Sequence, residues 1–171
     1  VPLCIVEGDQ PPSVPASYVH SDHAAGVAEA LRHLVSLGHR RIALLTGPDR
    51  YRSARERRKG LDIAAAAAPG VTFLHRGVEL NAEDGQATAG VLFSGAERPT
   101  AVVVGGARLL MGVLHALDAA DLEPGRDVAI VTSDASCLLH MNSGLAKRGQ
   151  PGRVRHVADL LAEGIRGGGS G

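Results

Sequence analysis

Apolar positions in this chain switch repeatedly between a helical period and short continuous runs. From Asp22 to Gly38, Val27, Ala30, Leu31, Leu34, Val35 and Leu37 recur at helical spacing, with Asp22 placed to cap the segment and Gly38 to close it. "RRIALLTG" (40–47) then reads as a strand, and "RSARERRKGLDIAAAAA" (52–68) as a helix ended by Pro69-Gly70. The alternation continues through a strand at "VTFLHRG" (71–77) and a helix at "NAEDGQATAGVLFSG" (81–95), with Asn81 as its cap. A strand at "TAVVVGG" (100–106), a helix at "ARLLMGVLHALDAADL" (107–122) stopped by Pro124-Gly125, and a strand at "DVAIVTSD" (127–134) complete it.

The flanks are less regular. "VPLCIVEG" (1–8) predicts a short buried strand, "DQPPSVP" (9–15) a proline-rich link, and "SYVHSD" (17–22) a short extended piece. After Asp134 the pattern weakens into an irregular connection (135–152). A final amphipathic helix is predicted at "RVRHVADLLAEGI" (153–165), followed by a flexible tail, "RGGGSG".

Strands that are apolar on both faces and alternate with helices predict an α/β fold, a doubly wound parallel sheet covered on both sides. In such sheets ligands sit beyond the carboxyl ends of the strands, where helix N-termini also point. The strand ends "LLTGPDRYRS", "HRGVEL", "VVGGAR" and "VTSDAS" are therefore expected to line one rim.

Composition narrows the chemistry. The 171 residues suffice for one domain with a core, and 44% of them are hydrophobic. Formal net charge is zero, so no overall basic field draws the chain to nucleic acid or anionic membrane. There is no Trp, with two Tyr and two Phe, which disfavours base-stacking platforms. Cys4 and Cys137 form neither a disulfide framework nor a zinc pattern; two buried thiols in a reducing cytosol are expected. No apolar stretch is long enough to span a membrane, and "VPLCIVEGD" lacks the features of a signal peptide.

The order of motifs carries a resemblance. "HSDHAAGVAEALRHLVSLGHRRIALLTGP" resembles the effector-binding core of the LacI/GalR family of bacterial transcription regulators, and "SARERRKG", "RPTAVVVGG", "LLMGVLHALDAADLEPGRDVAIV" and "GQP" follow in the family's order. The resemblance implies a periplasmic-binding-protein-like fold of two lobes with a small effector in the cleft between them. On it, residues 1–20 are a remnant of the N-terminal lobe and 21–134 a nearly complete C-terminal lobe. Residues 135–171 hold a crossover, the last helix and a tail. The helix-turn-helix head and most of the first lobe lie outside these residues, so the chain reads as a fragment that could meet operator DNA only through a head it does not contain.

The resemblance also assigns a site. Ser53 and Arg57 match positions that contact effector from a helix start, and Tyr51 and Arg52 match positions that vary with the effector. Asp134 ends a strand where the family keeps a ligand-binding Asp. Glu7 sits where some members place a cleft acid, and Gln150 matches a cleft-facing Gln. The chemistry suits those roles: a hydroxyl, free helix N–H groups and a guanidinium can all bond a sugar hydroxyl, carboxylate or phosphate. The plainer alternative makes Arg50, Arg52, Arg55, Arg58 and Lys59 a solvated face, and Asp134 a cap of the next turn.

The usual acid after the "VVV" strand is replaced by Gly105-Gly106-Ala107, although double glycine, and so Gly106, occurs in some purine-responsive members. Fewer carboxylates favour a less hydroxyl-rich or more anionic ligand, or a site that has lost its ligand.

Other chemistries are discounted. His20 and His23 have no matching second pair for a metal, and His39 fits a helix-end or turn role that a partly positive imidazole would favour. No Gly-Lys-Ser/Thr phosphate loop, dinucleotide glycine spacing or Gly-x-Ser-x-Gly elbow is present, and Cys137 with His140 lacks an orienting partner. The expected protein is a cytoplasmic, dimeric sensor of a small polar metabolite (sugar or nucleobase-like), with no cofactor, metal, membrane or enzymatic role. The competing expectation is a degenerate family member without a ligand that acts only through protein association.

Overall fold

The computed structural model describes residues 3–7, 15–132, 154–156 and 162. Two strands, β1 (Cys4–Val6) and β2 (Ser17–Val19), pair in parallel as a small sheet. The chain then runs α1 (His23–Ser36), β3 (Arg41–Thr46), α2 (Arg52–Ala67), β4 (Thr72–Gly77), α3 (Ala82–Phe93), β5 (Ala101–Val104), α4 (Ala107–Ala119), β6 (Ala129–Thr132) and β7 (Val154–His156). The last five strands form one parallel sheet in the order β4-β3-β5-β6-β7.

Period-2 geometry of the strands explains the layering. Ile42, Leu44, Ala101, Val103 and Val131 face one side and pack on Val27, Leu31 and Leu34 of α1 and Leu61 and Ala64 of α2. Ala43, Leu45, Val102, Val104 and Ile130 face the other and pack on Ala89, Leu92 and Phe93 of α3 and on Leu109, Leu110, Val113 and Leu117 of α4. Each fully buried Val, Leu or Ile side chain here contributes about 1.5–3 kcal/mol relative to exposure, so the central strands anchor both layers.

The helix signals act as read. The Asp22 carboxylate accepts from the Ala25 N–H at 2.9 Å, and the Asn81 amide oxygen accepts from the Asp84 N–H at 2.7 Å. Gly38 adopts φ +95°, closing α1 with its N–H on the Val35 carbonyl.

Two expectations are corrected. Val154–His156, placed at the start of the last helix, is strand β7, paired with Ile130–Thr132; Val154 is a β-branched residue that fills the core beside β6. Cys4 is exposed rather than buried, because burial alternates along β1 and Cys4 takes an outward phase. His39 does lie at the end of α1, where its N–H bonds the Leu34 carbonyl at 3.1 Å. Burial pushes its pKa down, and Nδ1 lies 2.9 Å from the Thr100 hydroxyl.

Candidate functional site

The strand order places a crossover reversal between β3 and β5. From β3 the chain steps outward to β4, then returns across β3 to β5. Such a reversal opens a crevice at the carboxyl ends of the two strands, because the loops leaving them diverge to opposite faces. Here those loops are Gly47–Tyr51, leading into α2, and Gly105-Gly106, leading into α4.

Arg57 reaches into this crevice. A Cβ at position 105 would lie 2.9 Å from its Cδ and 3.2 Å from its Nε, so the guanidinium stem rests on the backbone of Gly105. Gly105 is itself pinned by its N–H to the Leu45 carbonyl at 2.8 Å. The Nε atom of Arg57 is buried.

Those other arginines are more than a solvated face. Arg58 pairs with Asp49 at 2.8 Å, Arg52 with Glu56, and Arg50 with Glu79. Arg55 donates to the carbonyls of Asp49 (2.7 Å) and Arg50 (3.0 Å) and so braces the loop ahead of α2. Ser53 sits half-buried in the first turn of α2, next to Arg52, while the half-exposed Tyr51 carries the Arg50 guanidinium over its ring at 5.0 Å.

Helix termini shape the electrostatics. Neither α2 nor α4 has an acidic residue in its first turn or a side-chain cap, whereas α3 has both. The two helices flanking the crevice thus keep the positive ends of their dipoles uncompensated by their own first turns. Gly106 is the residue before α4 and is extended (φ 172°), so it is space and not backbone strain that distinguishes it.

What occupies that space is Leu80, which sequence reasoning missed. A Cβ on Gly106 would come 3.1 Å from Leu80 Cδ2, and one on Gly47 would come 3.1 Å from Cγ and Cδ2 of the same side chain. Leu80 therefore lies across both turns from the β4–α3 loop, 37% exposed, as an apolar wall. The sequence signal was the glycines at the ends of β3 and β5, which mark turns crowded by something from elsewhere.

Beneath the wall, the buried Thr46 hydroxyl donates to the Gly47 carbonyl at 2.9 Å and stands 2.9 Å from His75 Nε2. Burial, and secondarily Arg58, holds the His75 pKa below its ordinary value.

Glu7 has partners close to it in the fold. Its carboxylate accepts from the Ser21 N–H and hydroxyl and lies 3.0 Å from His23 Nε2, tying the end of β1 to the start of α1. The Ser21 hydroxyl, then the Ser21 N–H, hold its pKa down to about 2. Asp134 and Gln150 lie outside the described residues. Among the described residues, no group of three His, Cys, Asp or Glu side chains is placed to hold a metal, and no helix is long and apolar enough to cross a membrane.

Comparison with known proteins gives this crevice a family. A model for the periplasmic binding protein-like domain matches residues 31–146. An uncharacterized HTH-type transcriptional regulator from the aml 5' region of Streptomyces limosus is 33% identical over 144 residues, 81% of this chain and 40% of that protein. The lactose operon repressor of Escherichia coli K12 is 32% identical over 130 residues, 73% of this chain and 36% of that protein. The chain is a periplasmic-binding-protein-like domain of the LacI family. A LacI-family repressor structure from Corynebacterium glutamicum superposes with a TM-score of 0.65 at 26% identity, covering 78% of this chain and 50% of that one. The LacI-family domain described here thus spans less than half the length of these two curated relatives.

Proposed function

We propose that this domain is the effector-sensing part of a LacI-type transcription regulator, a binding module and not an enzyme, acting in the cytoplasm. The crevice between the ends of β3 and β5 would take one side of a small polar metabolite, sugar or nucleobase-like, with the facing lobe of the full-length protein covering the other. The single observation that carries this reading is Arg57 laid over Gly105 at the strand-order reversal, with Leu80 as a wall beside it. Ser53, Tyr51, Arg52 and Gly106 border the same opening from the first turn of α2 and the turn before α4; Asp134 and Gln150 are proposed to join them. In the whole protein, which would be a homodimer, effector would bias how the lobes close and so how a helix-turn-helix head meets operator DNA. That requires unequal affinity for two states.

The double glycine that departs from the family's usual acid also supports a working site. Arg57 and Leu80 use the room that Gly105 and Gly106 leave, so these glycines have a packing reason that degeneracy would not supply.

A thermal-shift screen of the 171-residue chain with sugars, phosphorylated sugars and nucleobases tests the reading. A ligand at a hundred times its Kd adds about 2.7 kcal/mol, which raises Tm by roughly 5–10 °C in a domain of this size. One class should shift the parent and fail to shift Arg57→Ala. Silence across the panel, or an equal shift in Arg57→Ala, would sink it.

A further inference from the structure

Leu80 forms its wall from a position that would not hold it unaided. Among the described residues neither hydrophobic core includes it, and it projects from a loop onto two glycine turns. The residue before it, Glu79, is gripped from the opposite side of the crevice mouth. Arg50, in the β3–α2 loop, donates from Nη1 to Glu79 Oε1 at 2.8 Å and from Nη2 to Oε2, a two-pronged pair. The same guanidinium lies 5.0 Å over the Tyr51 ring, and Arg55 braces the carbonyls of Asp49 and Arg50. On the far side, Val78 N–H bonds to the Thr46 carbonyl at 3.0 Å and Asn81 N–H to the Glu79 carbonyl at 2.8 Å. The Glu79–Leu80 step is thus the part of this loop whose position depends on the side-chain pair.

We infer that Arg50 and Glu79 are positioning residues that tie the β3–α2 loop to the β4–α3 loop and thereby fix Leu80 as the crevice wall. Exposed ion pairs are usually weak, because long side chains lose entropy and water screens them. This one has features that counter both terms. Fork-to-carboxylate geometry fixes two bonds at once. Stacking on Tyr51 removes much of the arginine's freedom before the pair forms. Consistent with an engaged pair, the Glu79 carboxyl is held below its ordinary pKa by the Arg50 hydrogen bonds. The effect on ligand choice rests on the crevice reading above; the tie between the loops does not.

The sequence contains no Trp, so Leu80→Trp places a sole tryptophan at the wall, read apart from the two tyrosines by selective excitation at the red edge of its absorption. In the 171-residue chain carrying it, Glu79→Gln or Arg50→Gln should raise the acrylamide quenching constant about two-fold and shift emission to the red. The swapped pair Arg50→Glu with Glu79→Arg should restore both. Hydrogen–deuterium exchange of residues 78–81 in the Leu80 background gives the same comparison without the reporter, with several-fold faster exchange expected in the single variants and recovery in the swap. Unchanged quenching and exchange in the single variants, or no recovery in the swap, overturns the inference. The ligand panel run on the same proteins separates the two readings. A parent that responds to a ligand while Leu80 is indifferent to Glu79→Gln overturns the tie alone; a wall that loosens in a protein silent to the panel supports the tie and counts only against the crevice.

Discussion

The side chain of Arg57 lies against the backbone of Gly105, close enough that a methyl group on residue 105 would sit 2.9 Å from the arginine Cδ. One residue supplies the charge of the crevice and the other the room for it. Gly105→Ala should therefore cost about 1–2 kcal/mol by overpacking, and much less in an Arg57→Ala background, where the crowding atoms are gone. Urea denaturation of the two single variants and the double variant measures the coupling; additivity within about 0.5 kcal/mol would show that the two do not touch.

Two glycines on neighbouring helices should answer the same substitution with opposite signs. A Cβ on Gly112 would fall 2.2 Å from the Ala82 carbonyl oxygen and 2.5 Å from the Gln86 nitrogen, both backbone atoms. Gly112→Ala should cost about 3 kcal/mol or more by forcing α4 off α3. Nothing lies within 4 Å of a Cβ on Gly90 in α3, so Gly90→Ala should stabilise by about 0.5–1 kcal/mol through helix propensity. Thermal melts of both give the signs directly.

Glu7 predicts an acid-labile tie. Its folded pKa, about 2, lies below the ordinary value of 4.5. The carboxylate thus stabilises the fold fully above about pH 4.5, and that contribution disappears as pH falls toward 2. The group is largely exposed, so solvent screening limits the effect to the order of 1 kcal/mol. Glu7→Gln should flatten the stability profile between pH 4.5 and 2 relative to the parent; parallel profiles would show that the Ser21 contacts carry no energy.

His39 and His75 act over a higher range. Burial lowers both folded pKa values, so at mildly acidic pH the unfolded chain binds protons that the folded chain refuses. Stability from these groups is complete above their unfolded pKa near 6.5 and declines as pH drops through it. Tm should fall between pH 7.5 and 5.5, and His39→Asn should reduce that fall. An unchanged slope in the variant would remove His39 from the account.

The parts legible in the sequence are those with local signals. Asp22, Asn81 and Gly38 each mark a helix end through a bond to a residue three positions away, and the apolar runs of β3 and β5 show burial on both faces without knowledge of the partner. The candidate site depended on more than local signals. Ser53 and Arg57 were assigned through the family resemblance, which matches them to a helix start after a strand and a turn. Leu80 was not assigned, since its meaning comes from two glycines on other loops. Glu7 was assigned through the resemblance, and its bonds to Ser21 and His23 come from residues 14 and 16 positions away, which no local pattern announces. Val154–His156 offers too few residues for a period to declare itself, so an adjoining helical pattern absorbed it.

Gly60 meets the Ala24 carbonyl on one face of the sheet, as Gly112 meets the Ala82 carbonyl on the other. Helices seated main chain against main chain have no cushion of side chains on which to glide past one another. Each layer should therefore behave as a stiff plate, and motion that a ligand provokes would be concentrated at hinges outside the plates and not in shear within them.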